Sequence, residues 1–165
     1  MAHIVRRVRQ AGTYFVTSRT WQSRALFQRP ATAQILLEQL LDCRGRGFYN
    51  LHEFVIMPDH FHALLTPAAE TTLEKAMQMI KGGSAHRIHQ ESGGKFPVWQ
   101  SGFHDRWIRD QQEYEARAAY IRENPVTARL AGKPEDYAFS SACGRFAMDA
   151  RSFRAGTSGA EAPMS

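Results

Sequence analysis

Two imidazoles stand two residues apart in His60-Phe61-His62, and a tyrosine and a carboxamide stand four apart in Tyr120-Ile-Arg-Glu-Asn124. On a β-strand, positions i and i+2 share a side. Both imidazoles therefore address one face of a sheet, while Phe61, Ala63 and Leu65 address the other. Neutral imidazoles are good ligands for divalent ions, and two on a rigid strand can share one. The spacing alone arises often by chance; the setting is what singles it out. The pair interrupts a hydrophobic run, Phe54-Val-Ile-Met57 and then Ala63-Leu-Leu65, where a buried imidazole needs a partner.

On a helix, residues i and i+4 are neighbours, so Tyr120 and Asn124 can address one point. With Tyr114 set at zero and a step of about 100° per residue, Ala118 falls at about 40° and Ile121 at about 340°, an apolar stripe. Tyr120 at about 240° and Asn124 at about 280° lie off that stripe. A tyrosine that attacks a phosphodiester conserves the energy of the broken bond in a phosphotyrosine, so a strand can be rejoined without ATP. Its phenol, with a pKa near 10, is only roughly 0.1% ionised at neutral pH and needs help. A metal ion bound to non-bridging phosphate oxygens gives that help. His60, His62 and Asn124 as metal ligands and Tyr120 as nucleophile thus form a chemically coherent set.

These groups must be held by a scaffold, and the pattern of the chain predicts one. Thr13 to Thr17 reads as a strand, rich in β-branched and aromatic residues. Pro30 suits a first helical position, Ala33, Leu36, Leu37 and Leu40 make a buried stripe, and Gly45 and Gly47 end the helix. Leu51 to Met57 and His60 to Leu65 read as two strands joined by a tight Pro58-Asp59 turn. A second helix opens at Thr71, where Thr71-x-x-Glu74 makes a capping box. Gly82-Gly83 is predicted to interrupt it, with Ser84 capping a continuation. Phe103 to Ile108 reads as a fourth strand. Asp110-x-x-Glu113 opens a third helix over 111 to 123, because Pro125 disfavours helical geometry at Asn124. The order βαββαβ plus a helix predicts an α+β, ferredoxin-like antiparallel sheet with two helices on one face. The first and third strands would be its central pair, with the other face open to a ligand or to the third helix. One domain is predicted for 1 to 150, including a basic N-terminal arm, and a disordered tail for 151 to 165.

The chain has 165 residues and a net charge of +5. Positive charge is concentrated at the start: Arg6, Arg7, Arg9, Arg19, Arg24 and Arg29 precede the first acidic residue, Glu38. Such a segment suits a polyphosphate partner, although a solvated basic face has the same composition. No apolar stretch is long enough to span a bilayer. Cys43 and Cys143, without metal-binding or redox spacing, read as reduced thiols of a cytoplasmic protein.

Met57-Pro-Asp-His-Phe-His-Ala-Leu-Leu65 resembles the HUH motif of the single-tyrosine transposases, and Tyr120-Ile-Arg-Glu-Asn-Pro-Val126 resembles the nucleophile helix of their REP-associated (RAYT) branch. Tyr14-Phe-Val-Thr-Ser-Arg19, Ile80-Lys-Gly-Gly-Ser84 and Gly102 to Asp110 add to the match, which spans residues 10 to 142. The resemblance implies a divalent ion, Mg or Mn, and cleavage of single-stranded DNA beside a palindromic hairpin. It further implies a 5′-phosphotyrosine and a free 3′-hydroxyl as products. The wider family has glutamine where this chain has Asn124, so a water can intervene between Asn124 and the ion. Mobile-element members are dimers that exchange the tyrosine helix; the REP-associated branch implies a monomer using it in cis. The sequence leaves that choice open.

Arg6, Arg7, Arg9, Arg19, Lys81 and Arg106 are the candidate DNA contacts, and Trp99 and Trp107 are candidates to stack on unpaired bases. His52 is a candidate to approach the metal, and His86 and His89 to contact phosphate, with surface or packing roles as the plainer alternatives. His104 reads as a strand-surface residue. The competing function is a ferredoxin-like protein that binds hairpin DNA or RNA without cutting it. Binding alone does not need the set of His60, His62, Tyr120 and Asn124.

Overall fold

Alternation along the strands sorts the chain into two apolar layers. Residues 9–151 and 153 are described by the computed structural model. Its elements are β1 (Tyr14–Arg19), α1 (Pro30–Gly45), β2 (Tyr49–Met57), β3 (His60–Pro67), α2 (Leu73–Ser92), β4 (His104–Trp107) and α3 (Gln111–Thr127), with four short 3-10 turns. The four strands form one antiparallel sheet in the order β2-β3-β1-β4. This is the predicted ferredoxin-like order, with β1 and β3 central.

On the first face Val16, Phe54, Ile56, Phe61, Ala63 and Leu65 pack with Leu36, Leu37 and Leu40 of α1 and Met77 and Ile80 of α2. On the second face Phe15, Val55, Met57 and Leu64 pack with Ala118 and Ile121 of α3. The predicted α1 stripe is buried as expected. A β-bulge at His52 shifts the β2–β3 register, so that Leu51 stays in the first layer while Glu53 serves the second.

Several boundaries differ from the prediction, each for a local reason. Thr72, not Thr71, caps α2, its side chain accepting from the Lys75 N–H. The helix then runs unbroken through Gly82-Gly83. A Cβ on Gly83 would lie 2.0 Å from the buried Gln39 amide of α1, which itself donates to the Met79 carbonyl, so the glycine permits helix contact and does not end the helix. Ser84 is accordingly buried inside α2, receiving the Trp99 indole N–H at 3.0 Å. Likewise α3 does not stop at 123: it passes Pro125 and ends at Thr127. Continuing the helical wheel puts Pro125 at about 20°, on the apolar stripe, and its ring is buried there. Burial of this residue offsets one missing backbone hydrogen bond near a helix end.

The outer edge of β2 is covered by the chain after α3. Ile56 N–H donates to Phe139, Val55 bridges Ser140, and Asp149 N–H donates to Leu51. The Asp149 carboxylate receives the Arg44 guanidinium at 2.7 and 2.9 Å and the Leu51 N–H at 2.8 Å. These contacts hold its pKa below the usual carboxylate value. Covering the edge in this way blocks pairing with another chain. The segment runs past the predicted domain end at 150: Arg151 bonds Thr13, and Phe153 N–H donates to the Gln111 side chain. The rest of the predicted tail, and the arm up to residue 8, lie outside the described residues.

Candidate active site

The His60–His62 pair lies on the second face, at the end of β3 nearest the Pro58-Asp59 turn, with ring centroids 4.8 Å apart. Each ring is held through Nδ1. His62 Nδ1 is 2.7 Å from the Thr17 hydroxyl, directly opposite on β1, and His60 Nδ1 is 2.6 Å from the Asp59 carboxylate. His62 is only 5% exposed, and its Nε2 is buried with no hydrogen-bond partner among the described residues. Burial pushes its pKa down to about 3, and the neighbouring His60, Arg19 and Arg117 push it in the same direction. A buried imidazole that is neutral, fixed at Nδ1 and orphaned at Nε2 has the form of a metal ligand with its outer partner in place. The residues present therefore fit a divalent ion. Among the described residues no three His, Cys, Asp or Glu side chains converge on one point. Further ligands would come from Asn124, water or substrate.

Helix α3 brings the tyrosine to this pair. Asp110 caps its start, accepting from Glu113 N–H at 2.8 Å, and the Ala118–Ile121–Pro125 stripe fixes its rotation on the sheet. Tyr120 is 49% exposed, yet its ring stands edge-on to His62 at 5.3 Å and to Phe15 at 5.9 Å. Phe15 in turn stacks on His62 at 5.1 Å. Asn124, half-buried, follows one turn later.

The other tyrosines are used differently. The hydroxyls of Tyr14, Tyr49 and Tyr137 donate to the carbonyls of Gln10, Leu40 and Ile56. Tyr114 packs between His52 and Phe153.

The remaining candidates divide by face. Arg6 and Arg7 lie outside the described residues. Arg9 is ion-paired with Glu74 and Asp105. Lys81 donates to the carbonyls of Gln100 and Gly102, and burial lowers its pKa. Arg19 and Arg106 share the second face: Arg19 is opposite His60 and 3.9 Å from Asp59, whereas Arg106 is paired with Glu113. Trp99 packs on Phe27 and Phe61, and the Trp107 N–H donates to Ala11. His52 is fully engaged, one ring nitrogen 2.7 Å from the Asp149 carbonyl and the other 2.7 Å from the Thr66 hydroxyl. His89 bonds the Phe96 carbonyl, and His86 is exposed beside it on α2. His104 is exposed on the second face, opposite Thr17.

Sequence reasoning did not single out Phe15, Thr17 or Arg117 as site residues. The Arg117 guanidinium lies 5.0 Å from the Phe15 ring centroid, on the flank of α3 that carries Tyr120. The register of β1 on β3 is the signal that would have found Thr17.

A paired-histidine strand at the centre of a ferredoxin-like sheet, with a tyrosine-bearing helix across the same face, is the architecture of a single-tyrosine transposase domain. Residues 9–124 match the family described as Transposase IS200 like, and the chain belongs to that family. It is similar to the REP-associated tyrosine transposase of Escherichia coli (strain K12), 23% identical over 133 residues, which are 80% of this chain and 77% of that protein. A solved structure of a REP-associated tyrosine transposase bound to a REP hairpin superposes with a TM-score of 0.71 at 24% identity, covering 95% of this chain and 98% of that one. A crystal structure of a candidate transposase from Deinococcus radiodurans R1 gives a TM-score of 0.52 at 19% identity, over 75% of this chain and 97% of that one. Both likenesses bear on the fold. Among the described residues no helix is long and apolar enough to cross a membrane.

Proposed function

We propose that this protein cleaves and rejoins single-stranded DNA beside short hairpins, with Tyr120 as the nucleophile. The observation that carries the reading is the contact of the exposed Tyr120 ring with His62, whose buried Nε2 has no partner. A divalent ion, Mg or Mn, held by His60, His62 and Asn124, directly or through water, would supply positive charge to the non-bridging oxygens of the phosphate. Thr17 and Asp59 orient the two imidazoles through Nδ1, leaving each Nε2 as the lone-pair donor. Phe15 stacks on His62 and meets Tyr120 edge-on, so the three rings form one cluster that fixes the phenol relative to the pair.

Attack by the Tyr120 oxygen forms the O–P bond, and the P–O3′ bond breaks. The phenol gives up its proton and the departing 3′ oxygen gains one. The products are a 5′-phosphotyrosine and a free 3′-hydroxyl, and reversal of the same step rejoins a strand.

Hairpin DNA as partner is supported by the REP hairpin in the similar solved structure. Tyrosine and histidines meet within one chain, which supports use of the helix in cis by a monomer. The test is incubation with a hairpin carrying single-stranded flanks and Mn or Mg. A protein–DNA adduct that survives a denaturing gel and is lost with EDTA is expected. Hairpin binding without any adduct would favour the non-catalytic binding protein.

A further inference from the structure

We propose that Arg117 grips the phosphate that Tyr120 attacks, a role that rests on the reading of this site as a DNA-cleaving centre. Arginines around α3 are otherwise committed: Arg106 and Arg109 are ion-paired with Glu113, and Arg122 with Glu53. Arg117 has no carboxylate partner among the described residues, although it is half-buried, and its positive charge is felt at His62. What it touches instead is the Phe15 ring, the same ring that stacks on His62 and meets Tyr120. Arg117 and Tyr120 stand at i and i+3 on α3, which sets the two side chains on adjoining positions of the helix surface. Asp59 serves His60 and Arg19 on the sheet side of the site, and among the described residues no carboxylate pairs with Arg117 on the helix side.

A phosphodiester supplies that anion. A guanidinium presents a planar fork of N–H donors that matches two phosphate oxygens, and its hold strengthens where water is thinned by a covering aromatic ring. As the Tyr120 oxygen bonds to phosphorus and the 3′ oxygen departs, negative charge builds on the non-bridging oxygens. Donors placed there beforehand lower the barrier. Arg117 acts from the helix side of the phosphate, His60 and His62 from the sheet side.

The test uses Arg117→Met, which keeps the methylene cover over Phe15 and removes the charged fork, with Arg117→Lys as a second variant. Two flanked hairpins are compared, one natural and one with a neutral methylphosphonate at the cut position. For the wild type, the methylphosphonate is expected to weaken binding about tenfold or more. For Arg117→Met the natural substrate should already bind with that loss, and the methylphosphonate should add less than about twofold. Adduct formation at saturating DNA should fall roughly a hundredfold in Arg117→Met and recover in part in Arg117→Lys. An equal methylphosphonate penalty in wild type and both folded variants would overturn the proposal. Absence of an adduct in the wild type, with the binding contrast intact, would overturn the cleavage reading and leave the phosphate contact standing.

Discussion

The two faces of the sheet are built from the same strands and carry opposite kinds of interior. Under α1 and α2 the side chains are apolar and the polar groups are paired: Gln39 with Met79, Tyr49 with Leu40, Trp99 with Ser84. The Ser18 hydroxyl is the exception among the described residues. Under α3 a smaller apolar cluster surrounds a buried imidazole with an orphaned nitrogen, an exposed tyrosine and an arginine without a carboxylate. A buried polar atom without a partner costs about 1–3 kcal/mol. The first face therefore has its polar groups paired with that one exception, and the second keeps groups whose bonding capacity is unused within the described residues.

Adjacent residues of β3 test this division most sharply, because Phe61 enters the first layer and His62 the second. Phe61→Ala should destabilise by about 3–5 kcal/mol. Thermal melting should show a drop in Tm of about 10 °C or more, with adduct formation per folded molecule retained. His62→Gln should keep the melting temperature within a few degrees and lose metal-dependent cleavage by at least about a hundredfold. Loss of activity in Phe61→Ala at temperatures where it is fully folded would dissolve the distinction.

Acid should separate the faces next. The folded-state pKa of His62, about 3, lies below the ordinary histidine value of 6.5, so between these limits the unfolded chain binds a proton that the folded protein does not. Stability is complete above pH 6.5 and falls as pH drops toward 3, by on the order of a few kcal/mol in metal-free protein. His52, also buried and depressed, adds to the slope in the same direction. Denaturant titrations at pH 7 and pH 4 should show a smaller pH dependence for His62→Gln than for the wild type. An unchanged slope would mean that His62 is already protonated in the fold.

A smaller effect is expected at Tyr49. Tyr49→Phe removes the hydrogen bond from the buried hydroxyl to the Leu40 carbonyl and should cost about 1 kcal/mol by denaturant unfolding, with no effect on cleavage. A gain in stability would show that the hydrogen bond contributes nothing net.

Much of this architecture was legible from periodicity. The α1 stripe, the β2–β3 hairpin and the polar flank of α3 follow from residue types at fixed spacing. What misled was local chemistry read without its tertiary partner. Gly83 reads as a helix break, yet it lies against Gln39 of the neighbouring helix; Pro125 reads as a stop, yet it is buried within α3. For the site, the sequence offered His60, His62, Tyr120 and Asn124. The groups that orient them lie across strand pairings, as Thr17 does from His62, or on a helix flank whose contact depends on docking, as Arg117 does. The Arg44–Asp149 pair, which ties the chain end to β2, joins residues a hundred positions apart that no periodicity links.

The central claim is that Tyr120 is the nucleophile, and fate of the label tests it most directly. A hairpin substrate labelled at one end and then at the other is incubated with wild-type, Tyr120→Phe and Tyr114→Phe proteins, and adducts are resolved on a denaturing gel. The adduct of the wild type and of Tyr114→Phe should retain the fragment 3′ of the cut, as a 5′-phosphotyrosine requires. Tyr120→Phe should bind DNA within a few fold of wild type and form no adduct. Undiminished cleavage by Tyr120→Phe, or retention of the opposite fragment by the wild type, would contradict the account.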